Sequence, residues 1–290
     1  MSNAMKLFND IQVLPRGRYL QLVVKVILLD DAIIRSNEPE EVLTFHYKTL
    51  GNRFIIPWRK VKGKLRRLVM EKQRDLGIPN NSKCYLKDHL CMACPACLLF
   101  GGTGETSATK ANYNLLSRVL GETFISSNEV KDISAYTANA IDEETLTTGQ
   151  ALMTILKVPA ETEFVGVVTL KDPTPELTSI LVDNLNRLTR LGASTREWGK
   201  VKTEIEGYVL SDRETLSSYD LVKNEKTNNL CKIADLKLPS VEDSFKKVAE
   251  IMPSILPKEK KEQEKGKRGR KAKEETTEAG EESSEAEGEP

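Results

Sequence analysis

The sequence predicts an α+β fold, a ferredoxin-like βαββαβ core carrying two insertions, and three observations predict it. An apolar, β-branched run near the N-terminus is followed by a stretch of helical period. The same order of strand then helix returns after residue 160. Between the two units lie a cysteine cluster and a long segment that neither unit needs.

The elements follow in chain order. "MSNA" stands ahead of a second Met at position 5 and reads as a vector scar, so residues 1–4 are set aside. Residues 19–29 read as a buried strand. Lys25 interrupts that run, and no stretch of about 18 uninterrupted apolar residues exists, so no membrane partner or spanning helix is expected. A long loop leads to a helix over 57–75, opened by Pro57. In the second unit "TEFVGVVTL" reads as a strand over 162–170. "PELTSILVDNLNRLTRLG" then sets Leu177, Ile180, Leu181, Leu185 and Leu188 on one helical face, with Gly192 where a C-terminal cap belongs. "VKTEIEGYVL" from Val201 alternates as a strand.

The core is thus assigned to 5–76 and 157–257. The insertions cover 77–104, held by cysteines, and 105–156, helical and hairpin-like. The tail at 258–290 has no side chain able to form a core and is expected to be disordered. Five cysteines, four of them clustered and Cys231 alone, fit a reduced cytoplasmic compartment.

Two features carry chemistry. In "IIPWRKVKGKLRRLVMEK" the period places Val61, Leu65, Leu68 and Val69 on one face. Arg59, Lys62 and Arg66 fall on an adjacent face, with Lys60, Lys64 and Arg67 on the opposite flank. Six cations with no carboxylate before Glu71 repel one another, which makes a polyanion such as nucleic acid the expected partner. In "CYLKDHLCMACPACLLFGG", Cys91, Cys94 and Cys97 recur every three residues, and Cys84 or His89 completes a tetrahedral set for a structural Zn2+. A redox CPAC dithiol is disfavoured by the extra cysteines. An iron–sulfur cluster lacks its usual fourth Cys-Pro, and a zinc deaminase lacks its H-x-E.

Several phrases, in the same order, resemble the repeat-associated RNA-binding (RAMP) proteins of CRISPR effector complexes. "IIPWRKVKGKLR" is similar to that family's "IPGSSLKGALR" through Ile56, Pro57, Lys62, Gly63, Leu65 and Arg66, with Trp58, Arg59 and Lys60 in place of Gly-Ser-Ser. "CPACLLFGG" is similar to its cysteine-then-LFG phrase through Leu99, Phe100 and Gly101. "KVPAETEFVGVVTL" is similar to its VPAGTEF phrase, with Glu161 where Gly is usual. "LGASTREWGKVK" resembles its late glycine loop through Gly192, Gly199 and Lys200. Within the family the similarity runs to the backbone subunits of type I-D (Cascade-like) interference complexes.

The resemblance implies a modified RNA-recognition-motif fold that coats CRISPR guide RNA through its sugar-phosphate backbone, in contact with further copies of itself and with other subunits. It meets target nucleic acid through the guide, which supplies sequence recognition by base pairing. The implied RNA-binding residues are Arg59, Lys60, Lys62, Lys64, Arg66 and Arg67, with Gly192, Thr195, Arg196, Gly199 and Lys200 in the loop. The expected zinc ligands are Cys91, Cys94 and Cys97 with Cys84, which is preferred to His89 as the fourth. Residues 131–156 correspond to a hairpin thumb. Some type III relatives cut RNA through an aspartate after the first strand, where Asp30 and Asp31 stand, so a metal-dependent endoribonuclease is the alternative to a non-enzyme. A zinc-stapled DNA-binding protein would account for the metal and the cations, but not for the ordered phrases.

Overall fold

The computed structural model describes residues 5–35, 42–78, 84–141, 148–223 and 230–257, and all of their side chains except those of 138–154. The segments read as a vector scar and a charged tail lie outside the described residues.

Strand β1 (Tyr19–Leu28) runs through the middle of an antiparallel sheet, as a run apolar on both faces requires. Its Leu20, Leu22, Val24, Val26 and Leu28 enter the main core, while Val23 enters a smaller cluster on the other face. Where the sequence reads as a long loop, β2 (Thr44–Tyr47) and β3 (Gly51–Ile56) form a hairpin. The turn closes on Gly51 at φ 74°, and β2 is almost wholly exposed, so it has no buried face whose alternation could be read. Helix α1 (Trp58–Asp75) follows with Pro57 as its N-cap, and buries Val61, Leu65, Leu68 and Val69 as its period demands.

Next come α2 (Pro95–Phe100), β4 (Val119–Gly121) and β5 (Phe124–Ser126), then β6 (Ser134–Ile141) and β7 (Thr148–Lys157), which pair as a separate two-stranded hairpin. Among its described residues the 105–156 segment contains no helix, contrary to expectation. Its β4 and β5 join the main sheet beside β8 (Glu163–Lys171). Three residues are too few to leave a period in the sequence. The cysteine segment packs into the same core. Cys84, Cys94, Cys97 and the side chains of α2 share the main core.

Helix α3 (Pro175–Asn186) starts at Thr174, whose hydroxyl accepts the N–H of Leu177, and buries Leu177, Ile180, Leu181 and Leu185. It ends at Arg187 rather than at Gly192. The next backbone groups find partners outside the helix: Val201 N–H donates to Thr189 O at 2.9 Å, and Leu191 N–H to Gly199 O at 2.8 Å. This short antiparallel pairing replaces the last helical turns and leads into β9 (Val201–Ser211).

The sheet order is β2-β3-β5-β8-β1-β9, with β4 also on β8. The path from β1 through α1 to β5 passes over β8, and the path from β8 through α3 to β9 passes over β1. The helical face of the sheet receives α1 and α3. The sequence reading did not foresee α4 (Ser218–Val222) or α5 (Val241–Ile255). The latter packs on α3 and buries Phe245, Val248 and Met252. On the opposite face Leu216 and Leu221 cover Val23 and Val167. Buried Gln21 holds that cover, its Oε1 accepting Leu216 N–H at 3.0 Å and its Nε2 donating to Leu216 O at 3.1 Å. Among the described residues no helix is long and apolar enough to cross a membrane.

Candidate nucleic-acid interface and metal centre

The sulfurs of Cys84, Cys91, Cys94 and Cys97 all lie within 4.8 Å of one another. Cys84 Sγ is 3.6 Å from Cys94 Sγ and 3.7 Å from Cys97 Sγ. Four thiolates at about 2.3 Å from one tetrahedral zinc stand roughly 3.8 Å apart, so the donor set and its spacing fit such an ion. His89 is not among them. It stacks on Tyr85 at 4.4 Å, and its Nδ1 lies 2.6 Å from Asp88 Oδ1. Hydrogen bonds from Cys91, Cys94 and Cys97 hold the Cys84 thiol far below its ordinary value. The bond with Cys84, followed by those with the other two cysteines and by burial, pushes Cys94 up. A cation takes such cysteines as thiolates, so its binding would release the protons they carry.

The basic helix divides into two flanks with different surroundings. Lys60, Lys64 and Arg67 line a cleft of about 310 Å³ with Gly192 and Thr195 of the loop after α3. Two cations that sequence reasoning missed, Arg35 and Arg190, line it as well, and among the described residues no carboxylate does. Each lies outside the dense run and carries no local signal, so only the fold brings them in. Burial, then the Arg59 and Arg35 cations, lowers the pKa of Lys60. On the other flank Arg66 donates from Nη2 to Gly101 O at 2.8 Å, and burial, then Arg66, lowers Lys62. Arg59 is exposed.

The glycine loop is fastened to the segment after β1. Ala193 N–H donates to Ile33 O and Gly199 N–H to Asp31 O, both at 2.9 Å, while Lys200 N–H donates to Asp30 Oδ1 at 2.6 Å. Gly192 (φ 104°) and Gly199 (φ 76°) permit this approach, since a Cβ would meet Ile33 O at 2.7 Å and Leu191 O at 2.0 Å respectively. Arg196 and Lys200 are exposed on this loop.

Asp31 anchors a second junction. Its Oδ2 lies 2.9 Å from Lys157 Nζ and accepts from Ser134 Oγ at 3.0 Å, and its Oδ1 accepts Ala160 N–H at 3.1 Å. Lys157, buried at the foot of β7, also lies 3.7 Å from the centre of the Trp198 ring. The base of the β6–β7 hairpin and the glycine loop therefore meet at one ammonium.

A family model described as Csc2 Crispr matches residues 6–286 of the chain. A crystal structure of Thermofilum pendens Csc2 is similar at 20% identity and a TM-score of 0.53, over 84% of this chain and 78% of that one. A chain of a type IV-B CRISPR complex is similar at 15% identity and a TM-score of 0.46, over 68% of this chain and 93% of that one. No curated protein matches.

Proposed function

The chain belongs to the Csc2 CRISPR family, and from that membership we propose that it is a non-catalytic, guide-RNA-coating backbone subunit of an interference complex of type I-D. The observation that carries the reading is the cleft, where Arg35, Lys60, Lys64, Arg67 and Arg190 gather with no carboxylate among the described residues. Their mutual repulsion is relieved by a polyanion, and phosphate contacts of this kind position a strand without reading its bases.

On this reading β9-β1-β8-β5 with α1 and α3 is a modified RNA-recognition-motif core. Leu216 and Leu221 cover the far face of its sheet, so the RNA is held at the helical side instead of stacking on the strands. Thr195 donates to phosphate from the cleft, while Arg196 and Lys200 add charge from the exposed loop. The β6–β7 hairpin is the thumb that meets a neighbouring copy or another subunit. Cys84, Cys91, Cys94 and Cys97 would hold a structural zinc, which ties the loop before α2 to the core. Target nucleic acid is met through the guide, in the cytoplasm.

Cleavage through Asp30 or Asp31 is not favoured. Asp30 accepts the N–H of Lys200, and both oxygens of Asp31 are engaged with Lys157, Ser134 and Ala160. A carboxylate so occupied is a poor general base.

The test is an anisotropy titration of labelled single-stranded RNAs of several sequences across a salt series, followed by a denaturing gel with divalent metal. Sequence-tolerant, salt-sensitive binding with intact RNA is expected. Preference for one sequence, or cleavage lost in Asp30→Ala or Asp31→Ala, would overturn the reading.

A further inference from the structure

The basic helix and the sulfur cluster meet at Gln73. This side chain is fully buried, donates from Nε2 to Cys94 Sγ at 3.3 Å, and accepts Ala96 N–H at Oε1 at 3.2 Å. The other buried residues of α1 are all apolar: Val61, Leu65, Leu68, Val69 and Met70. A lone carboxamide among them has a cost unless both its ends are satisfied, and here one end is satisfied by a cluster sulfur. Arg66 makes the second tie through Gly101 O at 2.8 Å. Cys94 and Gly101 are the two caps of α2, so α1 grips α2 at both ends.

We propose that Gln73 is the positioning residue of the metal centre, through which occupancy of the four-cysteine cluster sets the pose of α1 and links metal affinity to RNA affinity. An N–H donated to a metal-bound thiolate is charge-assisted, so it strengthens when the cluster loads and orients the sulfur. Helix α1 is continuous from Trp58 to Asp75 and carries Lys60, Lys64 and Arg67 into the cleft, so a displacement at Gln73 moves those cations as one body. The RNA half of the proposal rests on the function proposed above. The metal half does not.

The experiment uses the full chain. Zinc affinity is measured by competition with a chromophoric chelator for wild type and Gln73→Leu, and the cobalt(II)-loaded forms are compared by visible absorption. Gln73→Leu removes both bonds at similar volume, and a loss of zinc affinity of roughly 10- to 100-fold with shifted cobalt bands is expected. Equal affinity with superimposable spectra would overturn the positioning role. RNA affinity of the wild type is then measured with zinc, after chelation and after zinc is restored, and zinc affinity with and without saturating RNA.

A reversible loss of RNA affinity of about 5-fold or more is expected, with the same factor appearing in zinc affinity when RNA is added. RNA affinity unmoved by chelation would overturn the linkage. If zinc-loaded wild type binds no RNA, the functional reading fails while the chelator competition still decides the role of Gln73. Should Gln73→Leu not fold, Gln73→Met takes its place in the competition, and the wild-type arms decide the linkage.

Discussion

Replacing Asp31 with Ala is expected to cost about 3 kcal/mol of folding stability, and about a third of that loss is expected to vanish when Lys157 is also replaced. Asp31 accepts from Ser134 Oγ at 3.0 Å and Ala160 N–H at 3.1 Å, each bond worth about 1 kcal/mol net. Its third partner, Lys157, has a side chain only 6% exposed against 25% for Asp31. Breaking a fully buried pair costs about 3–5 kcal/mol because one charge is orphaned. Here partial exposure of Asp31 and the Trp198 ring, which still faces the ammonium at 3.7 Å, hold the whole loss near ~3 kcal/mol. Lys157→Met leaves Asp31 with two donors and water, at about 1–2 kcal/mol, and the double variant orphans no charge, only the donors of Ser134 and Ala160.

A double-mutant cycle by urea denaturation should therefore give a coupling near ~1 kcal/mol at unchanged slope. Additivity within about 0.5 kcal/mol would refute the argument. The pH dependence has a definite sign. Burial alone would raise the Asp31 pKa, but Lys157, Ala160 and Ser134 outweigh it and hold the carboxyl below its ordinary value. A depressed folded pKa gives stability that is present above the unfolded value of about 3.9 and is lost as pH falls through the lower folded one. The gap between wild type and Asp31→Ala should hold at neutral pH and narrow below about pH 4.

Arg35→Gln and Arg190→Gln should each weaken binding to all RNA sequences alike and lower the slope of log affinity against log salt by about 0.7; an unchanged slope would remove that residue from the interface. Gly63 lies inside α1, and beyond the backbone of its own helix no described atom stands within 4 Å of where a Cβ would be, so Gly63→Ala should raise stability by about 1 kcal/mol. The same variant should weaken RNA binding if a strand approaches the helix between Arg59, Lys60, Arg66 and Arg67, whereas unchanged affinity would mean that the space holds only solvent. Gly199→Ala should destabilise by about 2 kcal/mol or more, since its Cβ would meet Leu191 O at 2.0 Å with φ at 76°. Elemental analysis should find one zinc per chain, and chelation should lower the melting temperature; visible iron–sulfur absorption or an unmoved transition would contradict a structural zinc.

Much of the scaffold was legible because its elements bury a periodic face. The apolar run of β1, the stripe of α1 and the five apolar positions from Leu177 to Leu188 each state their partner's side. The four-cysteine cluster was legible for a different reason, since side chains that could surround one ion are often close in sequence. What escaped reading was short, exposed or non-local. The hairpin β2–β3 has an exposed strand, β4 and β5 are three residues each, and the end of α3 is decided by hydrogen bonds to the Gly199 carbonyl and from the Val201 N–H that no local pattern announces.

The candidate site divides along the same line. By itself the sequence determined the cation density of α1, the sulfur donors and the order of phrases that places the chain in its family, because each of these is a property of neighbouring residues. Only the tertiary structure decided which cations lie together. It drew Lys60, Lys64 and Arg67 into one cleft with Arg35 and Arg190, tied Arg66 to α2, and set Gln73 against Cys94. A cleft is made by backbone segments far apart in the chain, and the forces that close it, burial of the shared core and hydrogen bonds between remote loops, depend on the whole fold at once.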